Sequence, residues 1–345
     1  MTSFRMVAFG LVATTQAFMF GGQAAAQSLP PRVVVGAQQV GTLQHTVASA
    51  LAKVATDAID TTLVVQPYAG ATALLPVLDG GELDFGVSPS VDYALSYRGA
   101  DKLKIDGRNP YPHGPKLRLV MGGSPLIASL IVRDDSEIRS ANDLAGRKVA
   151  GDFPAQLGAY VNMFAQLRSA DLSWDDVTVV PFSAINDSLD AVMQGTIDAT
   201  VFGVGAPKVR EADASVGVRF ISSDCSDEGK QRIVDTVPGY YTIDIKGGKQ
   251  AAIDEDICTT AYQLYLVTHE AADPAMVRAV LKAIWDNVDQ LPQYHPSLRN
   301  WNQASAVPTE PTLPFHPAAI EFYREVGAWS EAMDAQQEAL LKLGQ

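Results

Sequence analysis

The chain has 345 residues, 47% of them hydrophobic, and its 39 acidic against 26 basic side chains give a net charge of −13. Nucleic acid and anionic membrane surfaces are therefore poor partners, because both repel an acidic protein. Beyond the N-terminal segment no apolar run approaches the roughly 18 residues that a membrane helix needs, and the length suits two α/β lobes.

The N-terminal segment is typical of a secretory signal. Arg5 precedes an apolar run from Met6 to Phe20, and an Ala-x-Ala sequence ends at Ala26. We expect residues 1–26 to be removed near Ala26 and the remainder to be exported as a soluble protein. The alternative is an ordinary buried first helix, which would not need the Ala-x-Ala sequence.

The first part of the remaining chain predicts a β-α-β-α-β unit. A β-branched run at 32–36 is followed by apolar residues at helical spacing over 43–54 and by a strand at 61–66. A helix ending near Gly80 and a strand at 84–88 complete the unit. After it, the Gly, Pro and charged residues of 97–115 predict an exposed surface loop.

The middle of the chain repeats this order. The pattern predicts a strand at 147–151, a helix at 157–169, a strand at 177–182, a helix at 185–194 and a strand at 197–202. A long helix begins near Asp273 in the C-terminal part, and the last helix begins near Pro317. The two similar units indicate one design used twice.

A short sequence repeat supports this interpretation. The stretches 81–87 and 195–201 share the pattern Gly-x-Leu/Ile-Asp-x-x-Val, and in each a predicted helix ends at the glycine before a strand. Ligands of parallel α/β sheets bind outside the carboxyl ends of the strands. Residues 88–92 and 202–207 are therefore expected to face a cleft.

These elements predict two lobes joined by two crossing segments. Residues 27–125 and 225–345 would form lobe 1, including the C-terminal helices, and 126–224 would form an inserted lobe 2. We expect the first crossing at 122–125 and the return near 237–244. Two crossings make a hinge, and an exported protein with a hinged cleft is most simply a solute-capturing protein.

The two cysteines, Cys225 and Cys258, allow two interpretations. In an oxidising compartment they form a disulfide if their Cα atoms lie close enough, and otherwise they are two free buried thiols.

Several stretches between Val33 and Gly327 carry a family resemblance. They are 35–36 with 49–53, 81–88, 130–133 with 140–149, 195–199 and, most distinctively, Leu313-Pro314-Phe315-His316-Pro317-Ala318-Ala319 followed by Phe322-Tyr323-Arg324-Glu325. The sequence resembles the solute receptors of the TAXI branch of tripartite ATP-independent periplasmic (TRAP) transporters. This resemblance implies an α/β, type II periplasmic-binding-protein fold in the periplasm. It also implies delivery of a small solute, commonly an organic anion, to a TRAP permease driven by an ion gradient.

The chain departs from this family in its glycine-rich loops. In the first loop Gly36 and Gly41 match, but Gln39-Val40 replaces a Ser-Thr pair and Gln44-His45 replaces two tyrosines. The loops at 67–71 and 154–158 are altered as well. The usual ligand of the family therefore does not transfer to this chain.

Candidate ligand-binding residues follow the predicted strands. The backbone amides of 38–42 precede a helix, and such amides with the helix dipole favour a carboxylate. Asp152 would select an amine or hydroxyl group. A turn with solvated glutamines, a packed His45 and a helix cap at Ser90 are the plain structural alternatives. The complete candidate set is Gln38, Gln39, Gly41, Thr42, Gln44, His45, Ser88, Ser90, Asp152, Gln156, Phe202 and Gly203.

No catalytic constellation is visible. The five histidines are scattered, and no His-Glu-x-x-His, Gly-x-Ser-x-Gly or phosphate-binding loop occurs. We therefore expect a monomeric solute receptor, not an enzyme, without metal or cofactor, that binds a small carboxylate with additional hydroxyl, amino or apolar character. The alternatives are a binding protein of an ABC importer or of a periplasmic sensor, and a periplasmic enzyme on the same fold.

Overall fold

The computed structural model describes residues 1–2, 29–154, 156–237 and 240–345. The expected signal segment, apart from its first two residues, and its cleavage site near Ala26 lie outside the described residues.

The N-terminal part forms the alternating strands and helices that its hydrophobic pattern predicts. In β1 the side chains of Val33, Val35 and Ala37 are buried on one face, and helix α1 buries an apolar stripe that includes Val47, Leu51 and Val54. The elements are β1 (Arg32–Ala37), α1 (Leu43–Ala58), β2 (Thr62–Pro67), α2 (Ala71–Asp79), β3 (Phe85–Pro89) and α3 (Ser90–Arg98).

The rest of the chain adds seven strands and seven α-helices to the described part. They are β4 (Leu117–Arg133), β5 (Lys148–Gly151), α4 (Leu157–Ser169), β6 (Thr178–Pro181), α5 (Ile185–Met193), β7 (Thr200–Gly203), α6 (Pro207–Val216), β8 (Val218–Ile221), α7 (Asp227–Thr236), β9 (Tyr241–Ile245), β10 (Ile257–His269), α8 (Pro274–Trp285), α9 (Pro317–Glu325) and α10 (Glu331–Leu343). Short 3-10 helices lie at Ala141–Leu144, Trp174–Asp176, Val288–Gln293 and Pro296–Asn300.

The main sheet has eight strands, in the order β2-β1-β3-β10-β4-β7, with β8 also paired to β4 and β9 to β10. Strand β1 is parallel to β2 and β3, whereas β10 is antiparallel to β3, β4 and β9. Strands β5 and β6 form a separate parallel pair. The chain is thus a mixed α/β structure in which long antiparallel strands join two α/β lobes.

Strands β4 and β10 are the connection between the lobes. Residues 117–122 of β4 pair with 265–269 of β10 beside β3, whereas 128–133 of β4 pair with β7 and β8. We define the first lobe as β1–β3, α1–α3, these outer ends of β4 and β10, and α8–α10. The second lobe is residues 126–261, from the inner part of β4 through β5–β9 and α4–α7 to the start of β10.

The return to the first lobe differs from the sequence interpretation. Residues 241–245 form β9, which pairs with 257–261 of β10 inside the second lobe, so the chain crosses back only at 261–264. Helix α7 packs against α4, and the Arg232 guanidinium donates to the carbonyls of Arg168 and Ser169. Because of these contacts, residues 225–261 lie with the second lobe instead of the first.

The C-terminal segment packs on the crossing strand β4. The Tyr323 hydroxyl donates to the Val120 carbonyl at 2.9 Å, and the fully buried Trp301 covers Gly123. A Cβ atom on Gly123 would lie 1.9 Å from the Trp301 ring, so this close approach requires glycine.

Cys225 and Cys258, 33 residues apart, form a disulfide. The bond connects the segment before α7 to the start of β10 within the second lobe. Of the two interpretations left open by the sequence, the structure has the disulfide. Among the described residues, no helix combines the length and apolar character that a membrane crossing requires.

Candidate functional site

The lobes meet directly at the loop that follows β1. Gln38 in this loop is buried, and its Oε1 accepts a hydrogen bond from Nε2 of Gln156 at 3.0 Å. Gln156 precedes helix α4 in the second lobe, and its own Oε1 accepts from the backbone N–H of Ile185 at 2.5 Å, at the start of α5. One pair of amide side chains therefore joins the N-terminal ends of α1, α4 and α5.

Further backbone contacts hold the same loop against the second lobe. Asn186 Nδ2 donates to the Val40 carbonyl at 3.2 Å, and the Lys208 N–H donates to the Gly41 carbonyl at 3.4 Å. Gly41 has a φ of +93°, a conformation that a side chain would strain. The structure therefore has the two lobes in contact across their cleft.

A cavity of about 30 Å³ lies between the lobes at this contact. Its polar lining consists of uncharged groups, and no Asp, Glu, Lys or Arg side chain is among the described residues that line it. It is lined by Gln38, Thr42, Leu43, Gln44, Pro89, Leu126, Ala128, Gln156, Gly158, Ala159, Asn162, Ile185, Val201, Phe202, Gly203 and Tyr262. Helix N-termini attract anions, so the convergence of α1, α4 and α5 makes this cavity suited to one negative group.

The structure brings half of the sequence candidates to the cavity and places the others around it. Gln38, Thr42, Gln44, Gln156, Phe202 and Gly203 line it. The carbonyl of Gln39 accepts from the Thr42 hydroxyl, and half-buried His45 lies on α1 with Nδ1 3.5 Å from Ser49 Oγ. Gly41 contacts the second lobe as described. Ser90 is buried in the first turn of α3, and its carbonyl accepts from Thr312.

Asp152 lies at the outer edge of the lobe interface. It is exposed, has a φ of +51°, and pairs with Arg108 of the first lobe at 3.2 Å. The structure therefore uses this carboxylate in an ion pair between the lobes, away from the lining of the cavity.

The buried carboxyl group of Asp92 lies behind the cavity, and this residue is not in the candidate set that the sequence predicted. Asp92 is 0% exposed; its Oδ1 accepts from the Tyr111 hydroxyl at 2.8 Å and its Oδ2 from Ser88 at 3.3 Å. Ser88 in turn accepts from Nε2 of Gln38 at 3.4 Å. Burial raises the pKa of Asp92 to about 7, against the lowering effect of these two hydrogen bonds.

A second buried network closes the hinge side of the cavity. Asn162 on α4 donates to the Tyr262 hydroxyl at 3.1 Å and accepts from the Tyr240 hydroxyl at 2.9 Å. The Tyr240 and Tyr262 rings stack at 4.8 Å. Tyr240 lies in the segment 237–244 where the sequence predicted a crossing, but Asn162 gave no signal because its inward direction depends on how α4 packs.

The segment 97–115, expected to be an exposed surface loop, reaches across to the second lobe. Asp106 Oδ2 accepts from the Tyr160 hydroxyl at 2.5 Å and from Trp174 Nε1 at 3.2 Å. The Arg108 guanidinium lies 4.4 Å from the centre of the Tyr160 ring. We call Asp106 and Arg108, with Tyr160 and Trp174, the clasp.

The described residues contain no group of three or more His, Cys, Asp and Glu side chains that could hold a metal ion.

One family model and several solved structures match this chain. The model of the NMT1-like family matches residues 35–327. The chain belongs to the NMT1-like family. Among solved structures it is similar to MatC from Rhodopseudomonas palustris with bound malate, at 14% identity and a TM-score of 0.55 over 92% of this chain and 100% of that one.

Two further solved structures have the same fold as this NMT1-like protein. A structure described as a periplasmic transporter matches with 10% identity and a TM-score of 0.56 over 91% of this chain and 98% of that one. A protein from Bordetella bronchiseptica RB50 matches with 15% identity and a TM-score of 0.52 over 88% and 90%. The expected type II periplasmic-binding-protein fold, with two lobes and two crossing strands, is confirmed.

Proposed function

We propose that this NMT1-like protein is a periplasmic receptor that captures a small carboxylate by closing its two lobes and delivers it to a membrane permease. The observation that carries the proposal is the cavity between the lobes, which the Gln38–Gln156 hydrogen bond spans. A solute that contacts both lobes stabilises their closed arrangement, since it makes those contacts only when they are together.

The size of the cavity supports a closing motion. Pockets that bind small molecules have volumes of roughly 300–1,000 Å³, so a cavity of about 30 Å³ takes up an organic acid only after the lobes move apart. Strands β4 and β10 are the covalent connections about which the lobes turn. In the bound state the solute replaces the direct contact between Gln38 and Gln156 with its own hydrogen bonds to both.

The chemistry of the lining supports a singly charged ligand group. Four amide side chains, Gln38, Gln44, Gln156 and Asn162, offer neutral donors and acceptors, and the helix N-termini favour one carboxylate. A polyanion would lack a cation to neutralise its further charges. Because a protein with the same fold binds malate, organic acids are the first compounds to test in a ligand screen.

We infer a TRAP-type permease, of the TAXI branch, as the partner. The support is the resemblance of 313–325 to the receptors of that branch. In the structure His316 caps α9 by accepting from the Ala318 N–H at 3.2 Å, and Tyr323 binds strand β4. Uptake of the identified solute by vesicles that contain the candidate permease, with and without this protein, tests the partnership.

The ligand prediction is tested by thermal shift and calorimetry on the mature protein. We expect a small carboxylate to raise Tm and to be recovered unchanged, as a receptor requires. Gln156→Leu removes the hydrogen bonds to both lobes and should weaken its binding at least about tenfold.

Gln194→Leu is the matched control, because Gln194 is exposed at the end of α5 and should leave the affinity unchanged. Stabilisation by sugars or cations alone, conversion of the solute to product, or equal affinities of the Gln156 and Gln194 variants would contradict the proposal.

A further inference from the structure

A groove of about 580 Å³ lies on the other face of the strands that line the cavity. Pro125 and Ile127 of β4 face this groove, whereas Leu126 and Ala128 face the cavity. Successive side chains of a strand point to opposite faces, so the groove and the cavity lie on opposite faces of β4, and Leu43 lies at the boundary between them. The groove is therefore a different place from the proposed solute site.

Three cationic side chains line the groove, namely Arg210 on α6, Lys249 between β9 and β10, and Arg299 at 296–300. All three are exposed, and none forms a salt bridge with another described residue. No Asp or Glu is among the described residues that line the groove. In a chain with a net charge of −13 this is a local reversal of charge, and it favours an anion.

The groove also has neutral hydrogen-bonding groups and a defined floor. His295 is buried and donates from Nε2 to the Gly205 carbonyl at 2.8 Å, while its Nδ1 lies 2.7 Å from the Ser297 hydroxyl. A Cβ on Gly205, whose φ is +82°, would lie 3.2 Å from the His295 ring. Gln250 and Asn300 add amide groups to the lining.

The two sides of the groove, which we call its banks, belong to different lobes. Arg210 and Lys249 lie in the second lobe, since α6 and the β9–β10 turn are part of it. Arg299 follows His295 in the segment that packs on the first-lobe part of β4. The His295–Gly205 bond joins the banks. An anion that contacts both banks would favour the arrangement in which they stand together.

We propose that this groove is a second binding site, which takes a small anion with several negative oxygens, such as a tricarboxylate or a phosphate, and couples its binding to closure of the lobes. Arg210, Lys249 and Arg299 supply the charge, and Gln250 and Asn300 supply hydrogen bonds. By linkage, an anion in the groove raises the affinity of the cavity for its solute, and the solute raises the affinity of the groove by the same factor.

Calorimetric titration with citrate and, separately, inorganic phosphate tests the site and distinguishes the two kinds of oxyanion. We expect at least one of them to bind at low salt and to bind more weakly as salt is added. The triple variant Arg210→Gln, Lys249→Gln, Arg299→Gln should lose at least about tenfold in affinity. The single variants Arg210→Gln and Arg299→Gln, measured in case the triple variant is unstable, should each lose part of it.

The triple variant Lys104→Gln, Lys230→Gln, Lys342→Gln is the control. These lysines are exposed and form no ion pair with a described residue, and the variant has the same net charge as the groove variant. It should retain wild-type affinity within about twofold. An equal loss in both triple variants, or no binding of either probe, would overturn the proposal.

Gln156→Leu separates this proposal from the proposed function. It should weaken solute binding in the cavity at least about tenfold but weaken groove binding of the probe much less, because the groove keeps its three cations and loses only the part of its affinity that closure contributes. If citrate binding is instead lost in Gln156→Leu and retained in the groove variant, citrate is the cavity solute and the second site is rejected.

Discussion

Asp92 is the end of a hydrogen-bonded chain that runs to the contact between the lobes. From its carboxyl group the chain passes through Ser88 to Gln38 and on to Gln156 of the second lobe. A Cβ on Gly158 of α4 would lie 3.1 Å from Asp92 Oδ1, so the carboxyl group also touches the second lobe directly. Its hydrogen-bond partners are the uncharged hydroxyls of Ser88 and Tyr111, and no described cation forms a salt bridge with it.

This burial predicts a pH-dependent contribution to stability. The folded protein holds the Asp92 proton up to about pH 7, whereas the unfolded chain releases it near the ordinary value of 3.8. Between these values the folded state binds more protons, so the contribution of Asp92 to the free energy of unfolding falls as pH rises and levels off above about 7.

Asp92→Asn removes this titration. We expect the wild-type Tm, relative to that of the variant, to fall between pH 5 and pH 8, and differential scanning calorimetry at intervals of half a pH unit measures it. A difference in Tm that is constant over this range would show that Asp92 is ionised throughout.

At the scale of single residues, the sequence could predict the polar groups that follow strands. Gln38 directly follows strand β1 and Gln156 directly precedes helix α4, and these positions alone brought them to the candidate set. Tyr111, Asn162 and Tyr262 reach the same region from a loop, a helix interior and a crossing strand. Their meeting depends on tertiary packing, which no local pattern contains.

Among the elements, the clasp is the contact that local pattern predicted least well. The loop that carries Asp106 and Arg108 is rich in Gly and Pro, which indicates a surface loop, and Asp106, Gly107 and Arg108 are indeed exposed. Yet Asp106 bonds to Tyr160 and Trp174, which the stacking of Tyr160 on Trp174 at 4.9 Å holds in place. Because its partners lie in the other lobe, the clasp holds only the closed arrangement.

Asp106→Ala should therefore speed release of the bound solute by about tenfold, since hydrogen bonds to a charged group are stronger than neutral ones. Stopped-flow measurement of Trp174 fluorescence, with the acid found in the thermal-shift screen, follows the release. Lys104→Ala, in the same loop and with an exposed side chain outside the clasp, is the control and should release the solute at the wild-type rate. Equal release rates for the two variants would mean that the clasp does not hold the closed form.

Hydrophobic periodicity predicted most elements of the two βα units, because each buries one apolar face in the way that its period requires. The sequence pattern placed the return of the chain to the first lobe near 237–244, before its position at 261–264 in the structure. Strand β9 lies next to β10 as a hairpin partner, and the apolar residues of β10 continue through both lobes, so periodicity alone does not mark where one lobe ends.

At the scale of the whole molecule, the disulfide is a constraint on the second lobe alone. The chain-entropy model gives a loop of 33 residues roughly 3–4 kcal/mol of stabilisation. We expect the double variant Cys225→Ala, Cys258→Ala to lose roughly 5–10 °C in Tm. It should keep its solute affinity, because neither sulfur lies at the cavity. Calorimetry of both proteins, with dithiothreitol added as a control that should change only the wild type, checks this; an unchanged Tm would contradict it.

The order of the strands delays completion of the main sheet while the chain is being synthesised. Strand β3 leaves the ribosome early, but its antiparallel neighbour in the sheet is residues 264–268 of β10, translated only after the entire second lobe. Until then the nascent chain carries an open strand edge of the kind that pairs with other chains. We therefore expect a chaperone to be needed most while the second lobe is being translated, because the edge of β3 is then unpaired.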